Sequence, residues 1–374
     1  MKKEVSDLFV SFSTLIIPIF ISSQLLLTST VMPRLYDATV NDLGRYSFTF
    51  DAYQYIEQDN ENSVIAIGSS KMREVFDGIE ISSLTEFDAV YYNLAYAGDR
   101  PYVRMVEIDA IIESEPEIVI VEFGPNYLSK LNSPMSDIML NRMSHLISIN
   151  SEWYSASWSE MVDDNDLPHL PLDRVSQLEY LQALTPISVE KTIAYELGFE
   201  DPPYDCERES NNVRCVPYIG SPDYLEYLQY PTQFGNALER IKGGFRSTTI
   251  EDFYGHMLDD YINRSYHNPE GTINKNILSL EFIIDSLINN GIEVLLVGLP
   301  YNPILIDRLA DGQWQYYNST LDYFNTKYSV HTVDYLWTDY WTEEDFNDYT
   351  HASRMGEIKF AELISKEIDK IMLE

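Results

Sequence analysis

Basic residues are scarce in this chain of 374 residues. Lysine and arginine together number 25, against 60 aspartates and glutamates, so the formal net charge is −35. A surface with this charge repels the phosphate backbones of DNA and RNA, and nucleic acid is therefore excluded as an expected partner. The charge indicates a solvated acidic surface of the kind that suits high salt or the outside of a cell.

Cysteine is nearly absent, and histidine is sparse. The two cysteines, Cys206 and Cys215, are nine positions apart in the polar stretch DCERESNNVRC. Outside the cytoplasm such a pair usually forms a disulfide, and two thiols without neighbouring ligands do not make a zinc site. No metal and no cofactor are expected. Surface or loop positions are predicted for five of the six histidines, which lack ligand spacing: His145, His169, His256, His267 and His331.

Charge is missing altogether from residues 8 to 32, a run of 25 residues. That length is enough to cross a hydrocarbon core of about 30 Å, since a helix rises about 1.5 Å per residue. Lys2 and Lys3 precede the run, and by the positive-inside rule they keep the N-terminus in the cytoplasm. Residues 1 to 33 are therefore predicted to be a transmembrane signal anchor in the cell membrane, with the bulk of the chain extracytoplasmic. A cleaved signal peptide is the alternative.

Short apolar runs alternate with helical patterns through much of the remaining chain. Strands are predicted at 63–67, 89–95, 117–123, 292–300 and 329–335. Helices are predicted at 101–114, 275–290, 303–325 and over the C-terminal stretch that begins at 353. This alternation predicts an α/β fold, in which a parallel sheet is covered by helices on both faces.

The same patterns predict the domain organisation. Residues 34–60 form a polar stalk without strong periodicity, and residues 61–374 form the domain. The segment 129–270, rich in Tyr, Trp, Pro and Asp, interrupts the alternation as a long insertion after the third strand. Because ligands of open α/β sheets bind beyond the carboxyl ends of the strands, this insertion is placed to wall a ligand site. An outer lobe without contact to the site is the alternative.

Small and polar residues follow the predicted strands where a site could form. Ser70 follows the first strand in the stretch GSSKMRE, Gly98 follows the second, and Asn126 follows the third. Asp348 and His351 lie three positions apart after the last strand. Since the carboxyl ends of parallel strands meet at one edge of a sheet, these five residues are expected to converge. Each also has a structural alternative, because the serine, asparagine and aspartate could cap helices and the glycine could turn a loop.

The residues and their order resemble the motif blocks of the SGNH hydrolase superfamily, also called GDSL-like esterases. The resemblance covers about residues 60–128 and 290–370. It implies a three-layer α/β/α, flavodoxin-like fold and acyl transfer through a serine ester. The site residues that it implies are a catalytic triad of Ser70, His351 and Asp348, and an oxyanion hole of Ser70, Gly98 and Asn126.

Two positions depart from the pattern of that family. Ser69 stands where many members have Asp, and Tyr127 stands where the third block often continues with Asp. The first departure, together with the predicted anchor, is similar to the membrane-tethered branch. That branch includes the D-alanyl transfer protein of teichoic acid synthesis and the alginate O-acetylation proteins. Its members act on cell-surface polymers and often work beside a membrane-bound O-acyltransferase.

The resemblance therefore implies an extracytoplasmic serine esterase or O-acyltransferase. Its substrate would be an acylated surface polysaccharide or glycan, and a membrane-bound O-acyltransferase would be a partner. Two alternatives remain open at this point. One is a non-catalytic surface protein that keeps the fold and binds glycan or an assembly partner, and the other is a secreted hydrolase of small esters.

The cysteine pair leads to a direct chemical test. If Cys206 and Cys215 are bonded to each other, the unreduced and denatured protein has no free thiol, and reduction exposes two. Closing so short a loop should stabilise the fold by about 2 to 3 kcal/mol in the chain-entropy model, measured as the loss of unfolding free energy in a double Cys→Ser variant. Two free thiols before reduction would rule the pairing out.

Overall fold

Five of the short apolar runs form one all-parallel sheet. The computed structural model describes residues 41–59, 61–149, 157–184, 207–209, 212–214, 224–230, 274–307, 311–328, 330–336, 339–348 and 350–373. The strands of the sheet are β1 (Ser63–Ile67), β2 (Val90–Asn93), β3 (Ile118–Phe123), β6 (Glu293–Gly298) and β7 (His331–Asp334). Their spatial order is β2-β1-β3-β6-β7, with every neighbouring pair parallel. This is a flavodoxin-like order, and the predicted α/β class and strand positions are confirmed.

Helices surround the sheet. They include α1 (Asn41–Gln58), α2 (Ser70–Val75), α3 (Gly78–Leu84), α4 (Pro101–Arg104), α5 (Ile108–Glu113), α6 (Asp137–Ile149), α7 (Tyr224–Gln229), α8 (Lys275–Asn289), α9 (Pro303–Ile306), α10 (Asp311–Tyr328) and α11 (Arg354–Leu373). The single helix predicted at 303–325 is thus two helices, α9 and α10. The one predicted at 101–114 is α4 and α5 joined by a 3₁₀ turn.

Alternate residues of the strands point into two separate hydrophobic cores. In β1, Ile65 and Ile67 belong to a core that also contains residues of α1, α4, α5, α6, α8 and α10, whereas Val64 and Ala66 belong to a core with residues of α2, α3 and α11. Side chains of successive strand residues point to opposite faces, so a run that is apolar at every position is buried on both sides. The described part of the chain therefore has three layers, helix on sheet on helix.

The segment predicted as a stalk is structured where the structure describes it. Residues 41–58 form helix α1, which packs against α5 and α6. Ala52, Tyr53 and Ile56 are buried in the core on that side of the sheet. Their spacing lies on one helical face, but the apolar stripe is too short to stand out among polar neighbours. In contrast to the prediction, these residues belong to the folded body.

The predicted insertion at 129–270 is anchored to the core by its first part. The buried carboxylate of Asp166 accepts hydrogen bonds from the Lys275 ammonium at 2.6 Å, the Tyr102 hydroxyl at 3.0 Å and the Met135 backbone N–H at 2.9 Å. Lys275 begins α8 and Tyr102 lies in α4, so this one carboxylate joins the insertion to two helices of the domain. Further along, β4 (Glu207–Glu209) and β5 (Asn212–Arg214) form an antiparallel hairpin.

Two predictions fall outside the described residues. The 8–32 run and the rest of the predicted anchor, 1–33, lie there, as do Cys206 and Cys215 on either side of the hairpin. Among the described helices, none combines the length and the apolar character needed to cross a bilayer.

A buried ion cluster lies between α1, α4 and the loop after β2. Arg104 donates to Asp99 at 2.9 Å and to Glu107 at 2.6 Å, and all three side chains are fully buried. Thr49 and Tyr53 of α1 donate to Glu107 at 2.7 and 3.0 Å. Burial raises the pKa of Asp99 to about 7, even though the charge of Arg104 lowers it. The Asp99 carboxylate therefore depends on Arg104 to remain charged.

Replacement of Arg104 should be strongly destabilising. Arg104→Met keeps the length of the side chain but leaves Asp99 and Glu107 buried without their cation, and such a loss costs about 3 to 5 kcal/mol. The free energy of unfolding, measured in urea at pH 8 where both carboxylates are charged in the unfolded chain, should fall by that amount. Arg174→Met is the matched control, since Arg174 is exposed and donates to Gln177. Similar unfolding midpoints for both variants would contradict the role given to the cluster.

Candidate active site

A glycine without room for a side chain forms the turn after β1. A Cβ atom at Gly68 would lie 2.7 Å from Cβ of Glu122 and 2.8 Å from Cβ of Met72, closer than side-chain atoms approach one another. The backbone can therefore pass between β3 and α2 only where a side chain is missing. Ser69 and Ser70 follow directly, and α2 begins at Ser70.

The first serine of the pair has a structural role. Ser69 is buried and is the N-cap of α2, with its hydroxyl accepting from the Lys71 backbone N–H at 3.4 Å. Its own N–H donates to the carboxylate of Glu122 at 2.6 Å. Lys71 turns back to the same carboxylate, with Nζ 2.8 Å from Oε1, and also donates to the Tyr301 hydroxyl at 2.8 Å. The turn is thus fixed from both sides.

Glu122 is a site residue that sequence reasoning missed. It is a fully buried carboxylate in the middle of the sheet, on the strand next to β1. The available signal was the single charge in the otherwise apolar stretch IVIVEF, because a buried charge needs a partner and that partner is commonly near a functional site.

The structure brings three of the predicted residues into one chain of hydrogen bonds. Ser70 Oγ lies 2.8 Å from His351 Nε2, and His351 Nδ1 lies 2.6 Å from Asp348 Oδ2. When the imidazole is neutral, a proton on Nδ1 donated to the carboxylate leaves Nε2 to accept the Ser70 hydroxyl. This arrangement can take the proton from Ser70 as the hydroxyl attacks an electrophile, which makes the serine a competent nucleophile.

The loop that carries Asp348 and His351 is held by its own hydrogen bonds. The other oxygen of Asp348 accepts the backbone N–H groups of Thr350 and His351, each at 2.8 Å. Asn302, in the loop after β6, donates its side-chain amide to the Asp348 carbonyl at 3.1 Å. The Asn347 N–H donates to the His351 carbonyl at 2.8 Å. Both members of the pair are therefore positioned before any ligand binds.

The electrostatics favour the protonated form of the base. Burial disfavours the charged imidazole of His351, but the negative charges of Asp348 and Glu74 outweigh this effect and raise the pKa of His351 to about 9. Burial raises the pKa of Asp348, but the charge and hydrogen bond of His351 prevail and leave it below the ordinary value. Glu74 is buried on α2, one turn after Ser70, and was also missed by the sequence analysis.

The two other predicted residues lie in the loops on either side of the nucleophile. Gly98 follows β2 and Asn126 follows β3, the two strands that flank β1. Gly98 has a positive φ of 68°, and a Cβ atom there would collide with the guanidinium of Arg142. Arg142 lies in α6 and donates to the Gly98 carbonyl at 2.9 Å, so the insertion contacts this loop. The Asn126 side-chain oxygen accepts from Arg100 at 3.2 Å.

One of the histidine predictions is wrong. His145 is fully buried in α6 instead of lying at the surface, and burial lowers its pKa to about 3. The side chains of His169 and His331 are exposed, as predicted, and His256 and His267 lie outside the described residues. In the part of the chain that the structure describes, no group of three or more His, Cys, Asp or Glu side chains is arranged to hold a metal ion.

Comparisons with models of protein families and with curated proteins find no match to this chain.

The raised pKa of His351 leads to a test that needs no substrate. A group whose pKa rises on folding adds stability that is complete below its unfolded pKa of about 6.5 and is lost as the pH rises through the folded value. The wild-type free energy of unfolding should therefore fall by about 1 to 3 kcal/mol between pH 6.5 and 9 relative to Asp348→Asn, which lacks the paired charge. Histidine NMR titration, with the signal assigned by His351→Gln, should show the imidazole titrating near pH 9. A titration near pH 6.5 would contradict this electrostatic account.

Proposed function

We propose that this chain is a serine esterase or O-acyltransferase that acts on esters through Ser70, His351 and Asp348. The observation that supports the proposal is the continuous chain of hydrogen bonds from Ser70 Oγ through the imidazole to the Asp348 carboxylate, at 2.8 and 2.6 Å. Helix capping alone does not explain this arrangement, because the cap of α2 is Ser69 and not Ser70.

In the first half of the reaction, Ser70 Oγ attacks the carbonyl carbon of the ester, and its proton passes to His351 Nε2. The imidazolium is stabilised by Asp348 and then gives the proton to the departing alcohol oxygen as the carbon–oxygen bond breaks. The acyl group remains on Ser70. Only the neutral imidazole can accept the proton, so the competent fraction of the enzyme increases as the pH rises toward 9.

In the second half, water or a sugar hydroxyl attacks the acyl-serine. His351 takes the proton of the attacking group and returns it to Ser70 Oγ as the acyl group leaves. In both halves the carbonyl oxygen becomes an oxyanion, and the backbone N–H groups of Ser70 and Gly98 and the side-chain amide of Asn126 are the proposed donors. One such donor contributes about 3 to 4 kcal/mol to the transition state.

The proposed substrate is an acylated cell-surface polysaccharide or glycan. The residues and their order resemble the SGNH hydrolases, and the predicted anchor at 1–33 is similar to the branch of that superfamily that works on surface polymers. The proposed location is the cell membrane, with the domain outside, and a membrane-bound O-acyltransferase is the proposed partner. The large excess of acidic residues is compatible with a surface that faces solvent of high ionic strength.

Ser70→Ala is the decisive variant. Without its hydroxyl the protein should fold normally, fail to react with a fluorophosphonate probe, and lose ester hydrolysis by more than about 10⁴-fold. His351→Ala should cost a similar factor, and the double variant should be scarcely worse, because residues that act as a unit are non-additive. The assay is release of acetate from an acetylated surface polysaccharide and from 4-nitrophenyl acetate, at equal folded concentration.

Ser69→Ala is the matched control. It removes a neighbouring hydroxyl and a cap, so it should lower stability by about 1 kcal/mol and leave most of the activity. Equal rates for wild type and Ser70→Ala would end the enzymatic proposal and favour a non-catalytic glycan-binding or assembly protein. Addition of an oligosaccharide acceptor separates the two reactions: an acyltransferase forms an acylated sugar, whereas an esterase releases free acid only.

A further inference from the structure

The side chain of Arg100 joins the two loops of the proposed oxyanion hole. It follows Gly98 by two positions, and its Nη2 donates to Asn126 Oδ1 at 3.2 Å. Its Nη1 donates to the Asp99 carbonyl at 2.8 Å. Among the described residues both acceptors of its guanidinium are neutral oxygens, and no carboxylate forms an ion pair with it.

The backbone of Arg100 is held in one conformation. Pro101 follows it, and the residue before a proline is restricted to extended geometry, here φ −145° and ψ 147°. Its N–H donates to Asp99 Oδ1 at 2.8 Å, and the other oxygen of Asp99 accepts from Arg104 at 2.9 Å. The buried ion cluster therefore fixes the point from which the Arg100 side chain extends.

We infer that Arg100 is a positioning residue that sets the orientation of the Asn126 amide. The oxygen and the NH₂ group of an amide lie on opposite sides of one planar unit, so engaging Oδ1 directs the NH₂ donors the other way. Loss of the bond would allow the amide to flip and present an oxygen to the oxyanion. The positive charge beside Oδ1 also polarises the amide and strengthens its N–H donors. This inference rests on the proposed function.

A second link joins the same two loops. Tyr127, the residue after Asn126, donates its hydroxyl to Asp99 Oδ2 at 3.3 Å. Tyr127 is fully buried. It stands where the SGNH pattern often continues with aspartate. In this chain the carboxylate bonded to Tyr127 is that of Asp99, in the loop after β2. The Tyr127 link holds the backbones together, whereas the Arg100 link reaches the amide itself.

The test is a double-mutant cycle between Arg100 and Asn126. Arg100→Met should lower kcat for 4-nitrophenyl acetate by about 10-fold or more while KM changes less than about twofold, because an oxyanion donor acts in the transition state. In an Asn126→Ala background, which should itself cost about 100-fold or more, Arg100→Met should have almost no further effect. Arg100→Lys keeps the charge but not the planar fork, so it should recover only part of the loss.

Arg174→Met is the control, because it removes an exposed guanidinium that donates to Gln177 and not to Asn126; its kcat should match that of wild type. Equal urea midpoints show that the variants are folded. The inference would be overturned if Arg100→Met lowered kcat by the same factor in both backgrounds, or if Asn126→Ala kept full kcat. In either case, activity that depends on Ser70 would still support the proposed function. Activity that survives Ser70→Ala would overturn both.

Discussion

The hydrogen bond from the Ser69 backbone to the buried carboxylate of Glu122 is the constraint on which the rest of the site depends. It fixes the turn between β1 and α2, and Gly68 lets the backbone approach β3 closely enough for the bond to reach 2.6 Å. Ser70 is consequently held at the start of α2, where it meets His351. A buried carboxylate without compensation would be very costly, and Lys71 supplies the compensating charge from the residue after Ser70.

Buried charges also hold the loops after β2 and β3. Asp99 accepts from Arg104, Tyr127 and the Arg100 backbone, and in this way it joins the loop after β2 to the loop after β3. Buried ion pairs contribute little net stability compared with apolar packing, but they tolerate few alternative geometries. Their value here lies in fixing the loop after β2 relative to the loop after β3, which apolar contacts alone would do with less directional control.

The negative charges near His351 also change which protonation state its imidazole favours. Asp348 and Glu74 stabilise the His351 imidazolium and raise its pKa to about 9, so the resting site favours the form that cannot accept a proton. As a consequence, only a small fraction of the imidazole is neutral, and so able to accept a proton, at neutral pH. An imidazolium that forms during the proposed acyl transfer would be stabilised as it appears, which is the general function of the carboxylate in a Ser-His-Asp triad. Glu74, one turn after Ser70 on α2, thus adds to the negative charge that stabilises the imidazolium.

The architecture was largely predictable from local patterns. β-branched and apolar runs such as IVIV of β3 are buried on both faces, so they indicate parallel strands by themselves, and the order of strands and helices then indicates an α/β sheet. Because the carboxyl ends of parallel strands meet at one edge, the convergence of Ser70 with Asp348 and His351 was also predictable, although Ser70 lies 281 residues before His351.

Other features were decided only by the tertiary structure. The role of Glu122 depends on a backbone N–H that is 53 residues away in the chain, and the packing of α1 depends on Glu107, 54 residues after Tyr53. Local periodicity does not reveal such pairs. Hydrophobic spacing indicates which face of a helix or strand is buried, but not which polar atom a buried polar side chain will contact. The pKa of His351 is beyond sequence patterns for the same reason. The sequence by itself determined the three layers and the residues at the carboxyl edge of the sheet. The partners and the charge states of those residues arise from contacts that form only when distant segments pack together.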